Sequence, residues 1–197
     1  MPTVGVTMRF PGAVVCLALA SCASFAVLCG LQPAQAQSQY VQKGPKLIGS
    51  GAVGFPVQGR SVALSADGNT AIMGGIQDNS GVGATWVFIR DGSDWVQQGP
   101  KLVGNGAVGR AQQGLSVALS ADGNTAIVGG PDDNSFVGAA WVFVRDGSVW
   151  FQQGPKLVGT DSVGAVGQGT SVALSADGNT AIVGGPDTGS FVDTGAA

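Results

Sequence analysis

The chain contains no histidine and no glutamate. Imidazole is the commonest general base near neutral pH and the commonest transition-metal ligand, so Ser-His-Asp triads and zinc-histidine sites are excluded. Every acidic side chain is an aspartate, and twelve of them against nine Lys and Arg leave a net charge of −3. That balance, with a pI near 4.5, provides no basic stripe for a phosphate backbone, so nucleic acid is not an expected partner. Cysteine is confined to Cys16, Cys22 and Cys29. Everything after residue 36 therefore lacks both thiol and disulfide, and its stability has to come from packing and strand pairing. Charged residues are also scarce, at 11%, whereas glycine occurs 34 times and apolar residues make up 44%. Abundant turns, a sizeable core and no charge-driven disorder are what such a composition implies.

Residues 1–36 read as a signal peptide. Arg9 precedes a long apolar stretch from Gly12 to Leu31, and Ala34-Gln35-Ala36 forms a small-x-small site with cleavage expected between Ala36 and Gln37. Export follows, to the periplasm, the cell surface or the medium, with no membrane attachment after cleavage. Two other readings of the same segment are a lipoprotein box ending at Cys22 and an uncleaved anchor, since about 20 apolar residues span a bilayer.

Beyond the leader the chain repeats itself. Lys-Leu-Ile-Gly at Lys46 returns as Lys-Leu-Val-Gly at Lys101 and Lys156, a spacing of 55 residues both times, and Ser-Val-Ala-Leu-Ser-Ala-Asp-Gly-Asn-Thr-Ala-Ile starts unchanged at Ser61, Ser116 and Ser171. A period of this size marks a propeller or solenoid built from one supersecondary unit. Within a unit, Ser61–Ser65 alternates as a strand, Asp67-Gly68 supplies a tight turn, Thr70–Met73 returns, Thr85–Ile89 is a third strand and Trp95–Gln98 a fourth. Four antiparallel strands are the content of a propeller blade. Trp86 and Phe88, like Trp141 and Phe143, share one face by period-two spacing and are expected to pack between blades. The expected fold is all-β, a β-propeller-like array of four-stranded antiparallel blades that is incomplete, with about three repeats. Its parts are a lone N-terminal strand and linker at 37–60, blades at 61–115 and 116–170, and a partial blade at 171–197. The lone strand is placed at Tyr40–Pro45, in phase with Trp95–Pro100. Since propellers typically have about four to eight blades, the open edge strands also make self-association possible.

These residues resemble the FG-GAP repeat of bacterial secreted proteins, the type that also builds the integrin α-subunit propeller. Gln113-Gly114-Leu115-Ser116-Val117-Ala118 stands where the family has Phe-Gly-x-Ser-Val-Ala, Val128-Gly129-Gly130-Pro131 where it has Val-Gly-Ala-Pro, and Gly138–Phe143 where it has Gly-x-x-Tyr-Val-Phe. Gln58, Gln113 and Gln168 replace the namesake phenylalanine, and Gly75, Gly130 and Gly185 replace the family's alanine. The resemblance implies a non-enzymatic role in adhesion or ligand binding, with an unidentified protein or glycan as partner. The alternatives are the non-catalytic propeller of a secreted polysaccharide-processing enzyme, or a truncated array without activity. Integrin-type blades also carry a calcium loop of several aspartates, but the equivalent turns here offer only Asp67, Asp122 and Asp177, one carboxylate each, against the six to eight oxygen ligands calcium takes. Neither metal nor other cofactor is therefore expected.

Exact repetition of nearly every polar residue also weighs against a catalytic centre, which needs unlike groups at one place. The candidate recognition surface is the loop between second and third strands: Asp78 and Asn79, then Asp132, Asp133 and Asn134, then Asp187. Brought to one rim by stacking, these residues would form a shared binding face. Solvated turn residues are the plainer reading of the same composition.

Overall fold

A computed structural model describes residues 8–10, 13–15, 41–42, 44–160 and 164–186. The cleavage pair Ala36–Gln37 and Asp187 lie outside the described residues. The chain divides into two units, Met1–Val41 and Gln42–Ala197. In the first, β1 (Met8–Phe10) pairs antiparallel with β2 (Ala13–Val15). Among the described residues no helix is long and apolar enough to cross a membrane.

The second unit is β-rich and repeats as expected from the 55-residue period. Strands β3 (Gln58–Leu64), β4 (Thr70–Gly75), β5 (Ala84–Asp91) and β6 (Asp94–Gln97) form an antiparallel sheet in sequence order. The copies β7 (Ser116–Leu119), β8 (Thr125–Gly130), β9 (Ala139–Asp146) and β10 (Val149–Gln152) form a second such sheet. Strands β11 (Ser171–Leu174) and β12 (Ala181–Gly184) form a two-stranded third. The lone strand expected at Tyr40–Pro45 is not formed at its described positions: Val41, Gln42, Gly44 and Pro45 carry no strand pairing.

Local chemistry sets each hairpin. In the first turn Ser65 N–H donates to Thr70 O at 2.9 Å and Gly68 takes a left-handed φ of 67°, a conformation that costs glycine little. The third and fourth strands meet at a two-residue turn, Gly92-Ser93, between the paired Asp91 and Asp94. Beyond Gly99-Pro100 pairing resumes at a single point, where Thr85 N–H donates to Leu102 O at 2.9 Å and Leu102 N–H to Thr85 O at 2.7 Å. The landmark Lys-Leu-Val-Gly is thus stitched to the preceding sheet.

Successive sheets stack face to face. Alternation puts Ala63, Ile72 and Val87 on one face of the first sheet, and Val117, Leu119, Ala126, Val128, Trp141 and Phe143 on the facing side of the second, in one hydrophobic cluster. Close approach demands glycine: a Cβ at Gly74 would sit 2.0 Å from Gly114 O, and one at Gly129 2.0 Å from Gly169 O. The glutamine that recurs at the start of each unit has a clear task here. Gln113 is fully buried, its Oε1 accepting Gly104 N–H at 2.6 Å and its Nε2 donating to Gly104 O at 3.0 Å. Gln58 makes the same two bonds to Gly49, at 2.8 Å each. An amide imitates a neighbouring strand in this way, which phenylalanine could not. The clamped glycine lies flat against the tryptophan, since a Cβ at Gly104 would meet Trp141 at 2.1 Å, and the indole N–H donates to Asn105 O at 2.8 Å.

One polar atom breaks the pattern. Thr85 Oγ1 is buried without a hydrogen-bond partner, and the next copy has Ala140 at this position. Leaving a buried hydroxyl unsatisfied costs about 1–3 kcal/mol. Thr85→Val, which keeps the shape and removes the hydroxyl, is expected to raise stability by about 1 kcal/mol in urea unfolding; an unchanged or lower midpoint would show that the hydroxyl is satisfied in solution.

Candidate functional site

The loops between second and third strands hold the residues that sequence reasoning placed on a binding rim. Their turns are unusual: in Asp78–Gly81, Asn79 and Ser80 have φ of 48° and 59°, and in Asp133–Phe136, Asn134, Ser135 and Phe136 have φ of 49°, 57° and 70°. Runs of left-handed non-glycine residues are rare, and survive only where the surroundings over-determine them.

Asp78 and Asp133 supply that determination, and they are not rim residues. Both are completely buried. Asp78 Oδ1 accepts Val53 N–H at 2.7 Å, and Oδ2 is paired with Lys101 Nζ at 2.5 Å. Asp133 does the same with Val108 N–H, at 2.6 Å, and with Lys156 Nζ. Each carboxylate thus ties together the turn, the linker ahead of its own sheet, and the linker that enters the next one. A buried carboxylate is stable only when paired and hydrogen-bonded, so the burial that removes Asp78 and Asp133 from any ligand is what gives them their structural role. Their lysines were legible only as markers of phase.

The other predicted residues divide. Asn79 and Asn134 are exposed, as are Ser80, Ser135 and Phe136. Asp132 is half-buried and accepts a hydrogen bond from Gln112 Nε2. Burial pushes its carboxyl above the usual aspartate value, and the Gln112 hydrogen bond and the Arg110 charge offset this only in part. Arg110 also reaches back to Gln77 Oε1 at 3.2 Å. The structure therefore brings Asp132 and Asn134 to one exposed turn and Asn79 to its counterpart, while Asp187 lies outside the described residues. A separate shallow cleft, lined by Gly44, Pro45, Leu47, Ser93, Asp94 and Trp95, carries a single carboxylate.

Asp67, Asp122 and Asp177 form a second recurring motif. Ser65 Oγ donates to Asp67 Oδ1 at 2.5 Å, and Asn69 donates to both carboxylate oxygens, from its backbone at 2.9 Å and its side chain at 3.0 Å. The same serine accepts Thr70 N–H at 2.9 Å, closing the turn. Ser120, Asp122, Asn124 and Thr125 repeat this, as do Ser175, Asp177, Asn179 and Thr180. Among the described residues no three Asp, Glu, His or Cys are grouped to hold a metal ion.

No protein-family model matches the chain, and none of the curated proteins matches it.

Hydrogen bonds from the serine hydroxyl, then from the asparagine, hold all three turn carboxyls below 3.8. The folded chain then gives up these protons more readily than the unfolded chain, so the turns stabilise the fold above pH 3.8 and lose that contribution as pH falls through the lowered values. Thermal melting from pH 5 downward is expected to fall more steeply for the wild type than for Asp67→Asn/Asp122→Asn/Asp177→Asn. Parallel curves would show that the turns do not hold the charged form.

Proposed function

We propose that this chain is an exported, non-enzymatic repeat module of propeller type, akin to FG-GAP repeats, that binds protein or glycan through its second-to-third-strand turns. The observation that carries this reading is the pair of locked turns. Each is fixed from below by a buried Asp–Lys pair, while Asn79 and Ser80 in one, and Asn134, Ser135 and Phe136 in the other, stay exposed. Because the two turns occupy the same place on stacked sheets, their amides, hydroxyls and one aromatic ring share an edge. Groups already held in a single conformation lose little entropy on binding, which favours a recognition surface over idle loop.

The propeller reading is supported by antiparallel four-stranded sheets stacked face to face with their first strands adjacent, β7 against β3 and β11 against β7. Export rests on the leader: Arg9, the apolar stretch after it, and Ala34-Gln35-Ala36.

Two measurements test this. N-terminal sequencing of protein recovered from the exported fraction of a bacterial host should begin at Gln37; retention of the leader in the cytoplasm would contradict export. On an array of surface glycans and matrix proteins, the wild type should bind a subset that Asn79→Ala/Asn134→Ala/Phe136→Ala loses at least tenfold at unchanged melting temperature. Absence of binding, or binding equal in both, would overturn the rim reading.

A further inference from the structure

Some of the hydrogen bonds that join one copy to the next are made twice inside the chain, by equivalent residues in the same direction, and a packed apolar pair and an arginine contact join the first copy to the second. Val117 and Leu119 of the second sheet pack with Ala63 and Ile72 of the first. Ser61 Oγ donates to Gly114 O at 2.8 Å, and Ser116 Oγ to Gly169 O at 2.7 Å. Ala66 N–H donates to Ala121 O at 2.9 Å, and Ala121 N–H to Ala176 O at 2.8 Å. Arg145 lies over Trp150 at 5.5 Å and reaches back to Gln98 at 3.3 Å and Thr70 at 3.5 Å, with Trp150 Nε1 donating to the same Gln98 oxygen. These contacts have polarity: the Ser61 and Ser116 hydroxyls and the Ala66 and Ala121 amides donate forward, while the apolar pair, Arg145 and the Trp150 indole N–H reach back.

A polar interface repeated in series exposes its two halves at opposite ends. At the front, Val62 and Leu64, the counterparts of Val117 and Leu119, are 71% and 60% exposed, and Arg90 is exposed where Arg145 is engaged. At the back, Ile182 is 56% exposed, although its counterparts Ile72 and Ile127 are 1% and 0% exposed. Ser171, Ala173 and Thr180, the copies of Ser61, Ala63 and Thr70, are exposed beside it. The acceptors Gly59 O and Ala66 O stand in phase at the front, the donors Ser171 Oγ and Ala176 N–H at the back.

We infer that the front of one chain docks on the back of a second copy, head to tail, reproducing between chains the contact made between sheets within each chain. Val62 and Leu64 cover Ala173 and Ile182, Ser171 donates to Gly59 O, and Ala176 N–H donates to Ala66 O. The second copy is the occupant because its front is the surface that the preceding sheet already accepts, down to the donors and acceptors. Such an interface is heterologous, so each added chain leaves another front and back open until a ring closes or a filament grows.

Sedimentation velocity and light scattering on the full chain over a concentration series test this, with Val62→Lys/Leu64→Lys blocking the front and Ile182→Lys blocking the back. Mass above the monomer, rising with concentration, is expected for the wild type, and monomer for either variant alone. An equimolar mixture of the two variants should give a one-to-one dimer that grows no further, because one intact back meets one intact front. All substituted residues are exposed, so each variant should melt like the wild type; if a lysine variant unfolds, Val62→Ser/Leu64→Ser or Ile182→Ser takes its place. A monomeric wild type, association that either variant leaves unchanged, or a mixture that stays monomeric would overturn the inference.

Discussion

Much of this fold hangs on two carboxylates removed from water. Asp78 and Asp133 each receive a backbone N–H from one linker and a lysine from the next. Removing one partner of a buried pair typically costs about 3–5 kcal/mol, because the charge that remains has nowhere to be solvated. The lysines here are about one fifth exposed, so water screens part of the attraction and the smaller end of that range applies. What the pair secures is position: it joins three segments distant in sequence and holds a left-handed turn that non-glycine residues would otherwise leave. Thr188 stands where the third copy would have the aspartate, so the sequence provides for this lock only twice.

Around the lock, the sheets are held by contacts that depend on smallness and on amides. Gly74 and Gly129 allow a carbonyl of the next copy to come within a Cβ's reach, and Gln58 and Gln113 clamp the glycine that lies on each tryptophan. Apolar burial supplies the bulk of the favourable free energy, but these features define how far one sheet slides on another. Since the Ser61 and Ser116 hydroxyls both donate to the following copy, the sheets follow one another in one sense.

The strand pattern was plain in the sequence because period-two alternation and Asp-Gly turns are local signals. Ser61–Ser65, Thr70–Met73, Thr85–Ile89 and Trp95–Gln98 all lie in or next to observed strands. The candidate site was legible only in part. Asn79 and Asn134 lie on exposed turns as composition suggests, whereas Asp78 and Asp133, next to them in the same polar runs, are buried. The distinction depends on Lys101 and Lys156, 23 residues further along, a separation no local pattern reports. One sequence signal pointed there: in a chain with few cations, a lysine recurs in strict phase with an aspartate. Likewise the recurrence of Gln58 and Gln113 was plain in the sequence, but only the geometry of Gly49 and Gly104 gave the reason.

The lock requires that Asp78 and Lys101 act together. A double-mutant cycle of Asp78→Ala and Lys101→Met, read by urea unfolding, measures this directly, since the loss of the Val53 N–H acceptor is common to the aspartate variant and the double variant and cancels. A coupling energy above about 1 kcal/mol is the predicted result; single effects that add to within about 0.5 kcal/mol would contradict it.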